Sequence, residues 1–441
     1  MPPHQADMLE FLGLEGIDQL FEDIPSEVRT RGLDLPPGVG ESETVERVQR
    51  ILSKNRSCAG MLSFLGAGYY DMYVPAVVES ILSRSEFYTS YTPYQAELSQ
   101  GLMQALFEYQ SLICELTGMD AANGSMYDGS TALGEAALMC ARITRKREFV
   151  IPRALHWEKK SVLLNYARGP RIVVREVDYD IATGTLDLNH IGELVGKETA
   201  GVYVENPNFF GLFDDGVLDI KEACGEALLV VGTHPIAQGI VKPPGDYGAD
   251  IVIGEGQSLG NWMSLGGPSL GIFSCRQEHI RKMPGRVIGL TQDSDGRRAF
   301  CMTLQTREQH IRKERAMSNI CTNEALLAVA AAVYLAWIGE DGLRKLGAGL
   351  VEKARTLMAH IDKLDLYRSP IFPGHYFNEF PVACGLPYPN VHEHLLERGI
   401  HGGIDLSSRF PELGSAALFA VTDRHGPEDF DRLVSVLEDL K

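Results

Sequence analysis

At 441 residues the chain exceeds what one hydrophobic core usually spans, so a large domain with a smaller companion is expected. Apolar residues make up 44% and charged residues 23%, an ordinary balance for a soluble globular protein, with no low-complexity tract or repeat. The charge, 41 − 59 = −18, argues against nucleic acid and against anionic membrane surfaces, because both need a basic face.

The opening MPPHQADMLEFLG has neither a basic nor an apolar leader region, so no signal peptide is expected. Residues 8 to 55 predict amphipathic helix, with Met8, Leu9, Phe11 and Leu12 followed by Ile17, Leu20 and Phe21, and then the turn-rich LDLPPGVGES. Residues 1–65 are too few and too irregular for a domain and read as an arm packed on something else.

Residues 66–310 alternate helix and strand. A helix from Ala96 to Thr117 carries Leu98, Leu102, Leu106 and Ile113 on one face, and a second begins near Thr131. The short apolar runs EFVIP, RIVVREV, AGVYVE, ALLVVG and DIVIG, each bounded by Gly, Pro or Asp, predict an α/β fold with a mostly parallel sheet covered on both faces. Residues 311–441 change character. The apolar run Ala325 to Gly339 is too short to span a bilayer and predicts a buried helix linking to a smaller α+β domain.

Eight cysteines (Cys58, Cys114, Cys140, Cys224, Cys275, Cys301, Cys321 and Cys384) are scattered without a CxxC pair. That pattern suits reduced thiols in the cytoplasm, not a disulfide frame or a metal site.

Four stretches carry candidate chemistry. The loop from Gly66 to Gly101 concentrates Tyr88, Tyr91, Thr92, Tyr94 and Gln95. Taken alone such rings are more often packing than catalysis, although ordered loops carry function disproportionately. Asp128, Gly129, Ser130 and Thr131 precede a helix; free N–H groups there suit an anion, but an ordinary N-cap is the better reading, and Asp128 would repel a phosphate. Between Val230 and Phe273 two strands flank a turn containing His234, and a Gly-rich loop containing Gln257 follows; Lys242 precedes the DIVIG strand and reads as a surface residue. The basic segment from Thr303 to Leu326, with Gln305, Thr306, Arg307, Arg312 and Arg315, suits a solvated face or subunit contact as well as it suits a carboxylate or phosphate.

Together, YTSYTPYQAELSQG, FEYQSLICELTGMDAANGSMYDGSTALGEAA, KPPGDYGADIVIGEGQSLG and TREQHIRKERAMSNICTN resemble the P-protein family of the glycine cleavage system, in the subunit 1 (α) half of its split form. FLGLEGIDQLFEDIP matches that family's N-terminal arm, so the resemblance covers nearly the whole chain. It implies a fold-type-I (aspartate-aminotransferase-like) pyridoxal-phosphate (PLP) transferase architecture and an obligate pairing with a β subunit that carries PLP on a Schiff-base lysine. With that partner the enzyme would decarboxylate glycine and pass the aminomethyl group to the lipoyl arm of H-protein. In this chain Gln257 holds the lysine's place and His234 the place of the acid that pairs with the pyridine nitrogen, where related α sequences tend to read Asp-Pro. Residues 128–131 would be a degenerate phosphate loop, with no covalent cofactor here. Tyr91, Thr92, Tyr94, Gln95, Thr306 and Arg307 match regions that reach the partner's site. Two rivals remain: a self-sufficient PLP lyase or aminotransferase homodimer, which Gln257 opposes, and a catalytically inert paralogue.

Overall fold

A computed structural model describes residues 3–30, 32–56, 60–90, 93, 95–307, 309–320 and 322–440. The chain divides into two units, Met1–Ser57 and Cys58–Lys441.

In the first unit, helix α1 (Pro3–Leu12) ends at Gly13, whose positive φ of 69° lets the Leu14 N–H reach back to the Leu9 carbonyl. Single turns at Ile17–Phe21 and Ser26–Val28 follow, then α2 (Glu41–Leu52), whose Glu41 and Glu43 open the first turn and Arg50 the last, as the helix dipole favours. Gly13, Pro25 and the Pro36–Pro37 pair break what the apolar spacing predicted as a more continuous helix. Phe11, Leu12, Leu20, Phe21, Leu33 and Leu35 are exposed, Phe11 at 90%.

In the second unit β1 (Leu62–Ser63) precedes α3 (Ala76–Leu82) and α4 (Gln100–Thr117). Leu102, Leu106 and Ile113 of α4 are buried as their spacing predicts; Leu98 lies before the helix and is exposed. Next come β2 (Ala121–Ala122), α5 (Gly129–Thr144), β3 (Glu148–Pro152), α6 (Trp157–Arg168), β4 (Val173–Val177), α7 (Leu188–Leu194), β5 (Thr199–Asn206), β6 (Leu228–Thr233), β7 (Ile251–Glu255) and β8 (Gly271–Cys275). Among the described residues seven strands form one sheet in the order β2-β8-β7-β6-β5-β3-β4. β4, β3, β5, β6 and β7 run parallel, and β8 is antiparallel to β7.

Both faces of this sheet are covered, which is why its strands read as unbroken apolar runs. Phe149, Ile151 and Tyr203 pack with Leu133, Met139 and Cys140 of α5, while Val150, Val202 and Val204 pack on the opposite face with Val217 and Ile220. Burying one such side chain contributes about 1.5–3 kcal/mol. A Cβ on Gly134 would stand 2.6 Å from the Tyr166 ring, so α5 and α6 pack closely only with glycine there.

The hairpin β9 (Val287–Gln292) and β10 (Arg298–Thr303) leads to the long α8 (Ala325–Ile361), broken at Gly339 (φ 61°, ψ 178°). Its first stretch buries Ala328, Val329, Tyr334 and Leu335 in one core; its last buries Ala354, Leu357 and Ile361 in another. By length and composition alone this helix could cross a bilayer, but these packed faces make it the core helix that joins the two layers. Beyond it β11 (Tyr367–Arg368), β12 (Glu379–Cys384), α9 (Tyr388–Glu397), β13 (Ile400–His401), β14 (Ile404–Asp405), β15 (Ala416–Ala420) and α10 (Pro427–Glu438) make the smaller α+β layer. Its antiparallel sheet runs β11-β12-β15-β14, and β13 pairs in parallel with β1.

Candidate functional site

The parallel strands end in polar residues along one edge: Glu205 and Asn206 on β5, Thr233 and then His234 after β6, and Glu255 on β7. This carboxyl edge is where open α/β sheets place their sites. A cavity of about 70 Å³, room for a handful of waters, opens there between the start of α5, His156 and Lys159 of the α6 start, the Ala67–Tyr70 segment and Glu379 of β12.

The polar groups of the cavity are largely paired with one another. The Lys159 ammonium donates to Glu205 Oε1 at 2.7 Å, and the Tyr203 hydroxyl donates to the same oxygen at 2.7 Å. Burial lowers the Lys159 pKa, but Glu205 outweighs it and the net shift is upward, so the amine stays an ammonium. The Tyr70 hydroxyl donates to Glu379 Oε2 at 2.8 Å, and the Ala67 N–H donates to Glu379 Oε1. Burial pushes Glu379 up to about 7, with those two donors and Lys159 pulling the other way. Burial likewise raises Glu255 to about 7 against hydrogen bonds from Ser269 and Gly129.

The two histidines are neutral. Burial takes His234 down to about 3 and His156 to about 4. His234 Nδ1 accepts from the Ile236 N–H at 3.2 Å, which assigns its proton to Nε2; that atom is buried and has no hydrogen-bond partner among the described residues. Its ring lies between those of Tyr70 and Phe377, at centroid distances of 5.0 and 4.9 Å.

Three requirements test whether these residues fit PLP, and each fails. A nucleophilic amine is missing. Gln257, 1% exposed, accepts from the Tyr70 N–H at 2.9 Å and donates to the Tyr70 carbonyl at 3.1 Å and the Asn261 carbonyl at 2.7 Å, so its amide is a cross-link between two loops. Lys159 is in the cavity but held charged by Glu205, the opposite of an activated amine. The position after β6 offers no carboxylate to a pyridine nitrogen either, because His234 presents a neutral imidazole there. Finally, the start of α5 is already capped. The Thr131 N–H donates to Asp128 Oδ1 at 2.7 Å and the Gly129 N–H to Glu255 Oε2 at 2.9 Å.

The Asp128–Thr131 stretch is therefore a capped helix start beside the cavity, and Gly129, His234 and Gln257 lie within or against it. Lys242 is exposed ahead of β7, as its position predicted. Tyr91, Thr92 and Tyr94 lie outside the described residues, and Gln95 is exposed. Thr306 is exposed, and Arg307 turns its guanidinium onto its own chain, donating to the carbonyls of Leu304 (3.2 Å), Ile280 (3.3 Å), Met283 and Gly285 (3.2 Å). Among the described residues no cluster of His, Cys, Asp and Glu could hold a metal.

Sequence reasoning missed Lys159, Glu205, Glu255, Glu379, Tyr70 and His156. Glu205 and Glu255 left a signal: each is a carboxylate ending an otherwise apolar parallel strand.

Residues 2–437 match the family described as glycine cleavage system P-protein. The chain is 48% identical to a probable glycine dehydrogenase (decarboxylating) subunit 1 of Thermococcus kodakarensis, covering 99% of this chain and 96% of that protein. It is 47% identical to the protein of the same description from Carboxydothermus hydrogenoformans, over 99% and 98%. Among solved structures, glycine decarboxylase (P-protein) of the glycine cleavage system, in inhibitor-bound form, superposes with TM-score 0.91 at 38% identity, covering 100% of this chain and 99% of that one. A NifS-like protein shares the fold alone, with TM-score 0.63 and 14% identity over 86% of this chain and 99% of that one. The architecture is that of the fold-type-I PLP-dependent enzymes.

Proposed function

The chain belongs to the glycine cleavage system P-protein family, and from that premise we propose how its labour is divided with a partner. It is subunit 1 of a decarboxylating glycine dehydrogenase. PLP supplies the electron sink for loss of CO2 from glycine, and it is bound by the lysine-bearing β subunit. This chain supplies no bond to it. The aminomethyl group then passes to lipoylated H-protein, and the work is done in the cytoplasm, away from membranes and nucleic acid. The free thiols Cys114, Cys140, Cys224, Cys275, Cys301 and Cys384 suit such a reducing compartment.

The observation that carries this division is Gln257. A buried amide with its oxygen and nitrogen both engaged cannot be a nucleophile, and the one lysine among the described residues of the cavity is paired with Glu205. What this chain offers the partner lies elsewhere. Tyr91, Thr92, Tyr94 and Gln95, with Thr306, are proposed to face the β subunit's site and to position glycine's carboxylate and exclude water there, while Arg307, whose guanidinium is spent on backbone carbonyls, acts only from behind. The anchoring of Arg307 to the Ile280–Gly285 loop supports this by fixing the backbone on which Thr306 is presented.

The test is bicarbonate exchange into glycine by the chain reconstituted with a lysine-bearing β subunit. Exchange should need both subunits. Tyr94→Phe or Thr306→Ala should lower kcat, with little change in the melting temperature of the complex; one positioned donor in a dry site is worth about 2–4 kcal/mol of transition-state stabilisation. Near-normal turnover in both variants would make the chain a scaffold. A borohydride-reducible PLP adduct on the chain alone would overturn the division itself.

A further inference from the structure

We infer that Glu255 is an internal ligand of the helix start at Gly129, and that its carboxylate closes this subunit to phosphorylated compounds. The inference rests on the reading that the chain binds no cofactor, and it names the residue responsible.

An α-helix leaves its first N–H groups unpaired and its amino end partly positive, so the start of the 16-residue α5 is an inherent anion site. Here two carboxylates already serve it. Asp128 does so locally, through the Thr131 N–H at 2.7 Å, as any N-cap residue would. Glu255 does so from a distant segment, taking the Gly129 N–H at 2.9 Å on Oε2. Its Oε1 accepts from the Gln257 N–H at 3.1 Å and from the Ser269 hydroxyl. One carboxylate thus gathers donors from the helix start, from its own following loop and from the chain entering β8.

Space agrees with charge. A Cβ placed on Gly129 would lie 3.3 Å from both Cβ and N of Glu255, so the end of β7 and the start of α5 are in van der Waals contact. Above pH 7, where Glu255 is ionised despite its burial, a phosphate approaching these N–H groups would meet Glu255 and Asp128 as like charges at short range. Among the described residues the rest of the cavity offers it no free cation, since Lys159 is paired with Glu205. The Gly129 and Thr131 N–H groups at the helix start are thus already satisfied from within the chain.

The experiment titrates inorganic phosphate into the full chain, followed by 31P line broadening, for the native protein, Glu255→Gln and Glu255→Ala. Gln keeps an oxygen for the Gly129 N–H and removes the charge, so it guards against loss of folding in the Ala variant; circular dichroism checks both. At pH 8, where Glu255 is ionised, the native chain should show no saturable binding up to the highest phosphate concentration used, and the neutral variants should acquire saturable binding at least about tenfold below that concentration, as expected for deleting one like charge from an anion site. Saturable phosphate binding by the native chain, or folded variants that gain none, would overturn the inference. Neither result touches the division of labour above, which fails only on a covalent PLP adduct.

Discussion

The strand-end cavity and the N-terminal arm solve opposite problems. In the cavity, groups that elsewhere would reach for a ligand are turned on each other: Lys159 on Glu205, Tyr70 on Glu379, the start of α5 on Glu255. In the arm, apolar side chains that a folded unit would hide are left in the open, Phe11 at 90%, Leu33 at 78% and Leu35 at 69% exposure. Exposed large apolar side chains in such number suit an interaction site better than a solvated surface. The contrast teaches that this subunit is self-contained where its fold carries chemistry and incomplete where it would meet another protein.

The hardest blow to that contrast is Glu205→Ala. It leaves the Lys159 ammonium buried without its counter-charge, which should destabilise the chain by about 3–5 kcal/mol, seen as a lower denaturant midpoint. Lys159→Met with Glu205→Leu should recover most of it, because burying neither charge is close to neutral. A single variant as stable as the native chain would mean the cavity is not internally balanced.

Glu379 comes next. Its folded pKa of about 7 lies above the usual 4.5, so its stabilising contribution is complete below pH 4.5 and is lost as pH rises through 7. The full swing is on the order of 3 kcal/mol. Melting temperatures of Glu379→Gln should therefore fall less than those of the native chain between pH 5 and 8. His234 has the opposite sign: with its folded pKa lowered to about 3, its contribution is present above 6.5 and lost as pH falls towards 3, so the acid limb should be unchanged in this variant.

On the other side of the comparison, Phe11→Asp with Leu20→Asp should weaken association with the β subunit by about 2–3 kcal/mol in a binding titration. The chain's own unfolding should move by no more than about 0.5 kcal/mol, as for other exposed positions. Unaltered affinity would remove the arm from the interface. The smallest effect is at the helix start: Asp128→Ala should cost about 1 kcal/mol of chain stability and Asp128→Ser far less, since serine caps nearly as well.

Local pattern carried much of the architecture. EFVIP spans β3 residue for residue, DIVIG matches β7 to within one residue at each end, and the Asp128 cap follows from a short polar side chain before a run of helix formers. The arm was less legible because apolar spacing ignores breakers: Gly13 and the prolines cut it into short pieces. At the site, the loss of the lysine could be read at Gln257, but what replaced it could not. Lys159 finds Glu205 46 residues on, Gly129 finds Glu255 126 residues on, and Tyr70 finds Glu379 309 residues on. No periodicity reports such pairings, because they exist only once the sheet has brought strand ends together.

Those separations also impose a timetable. Chains emerge from the ribosome amino end first, and early segments must wait for late ones. Gln257 can take the Tyr70 backbone first, but the Tyr70 hydroxyl and the Ala67 N–H must wait for Glu379, and β1 must wait for Ile400 and His401. The parallel sheet, complete by residue 275, can form well before then. The segment from Leu62 to Tyr70 is thus made early and fixed late, so a chain terminated before residue 379 would carry an assembled sheet with its cavity still lacking a wall.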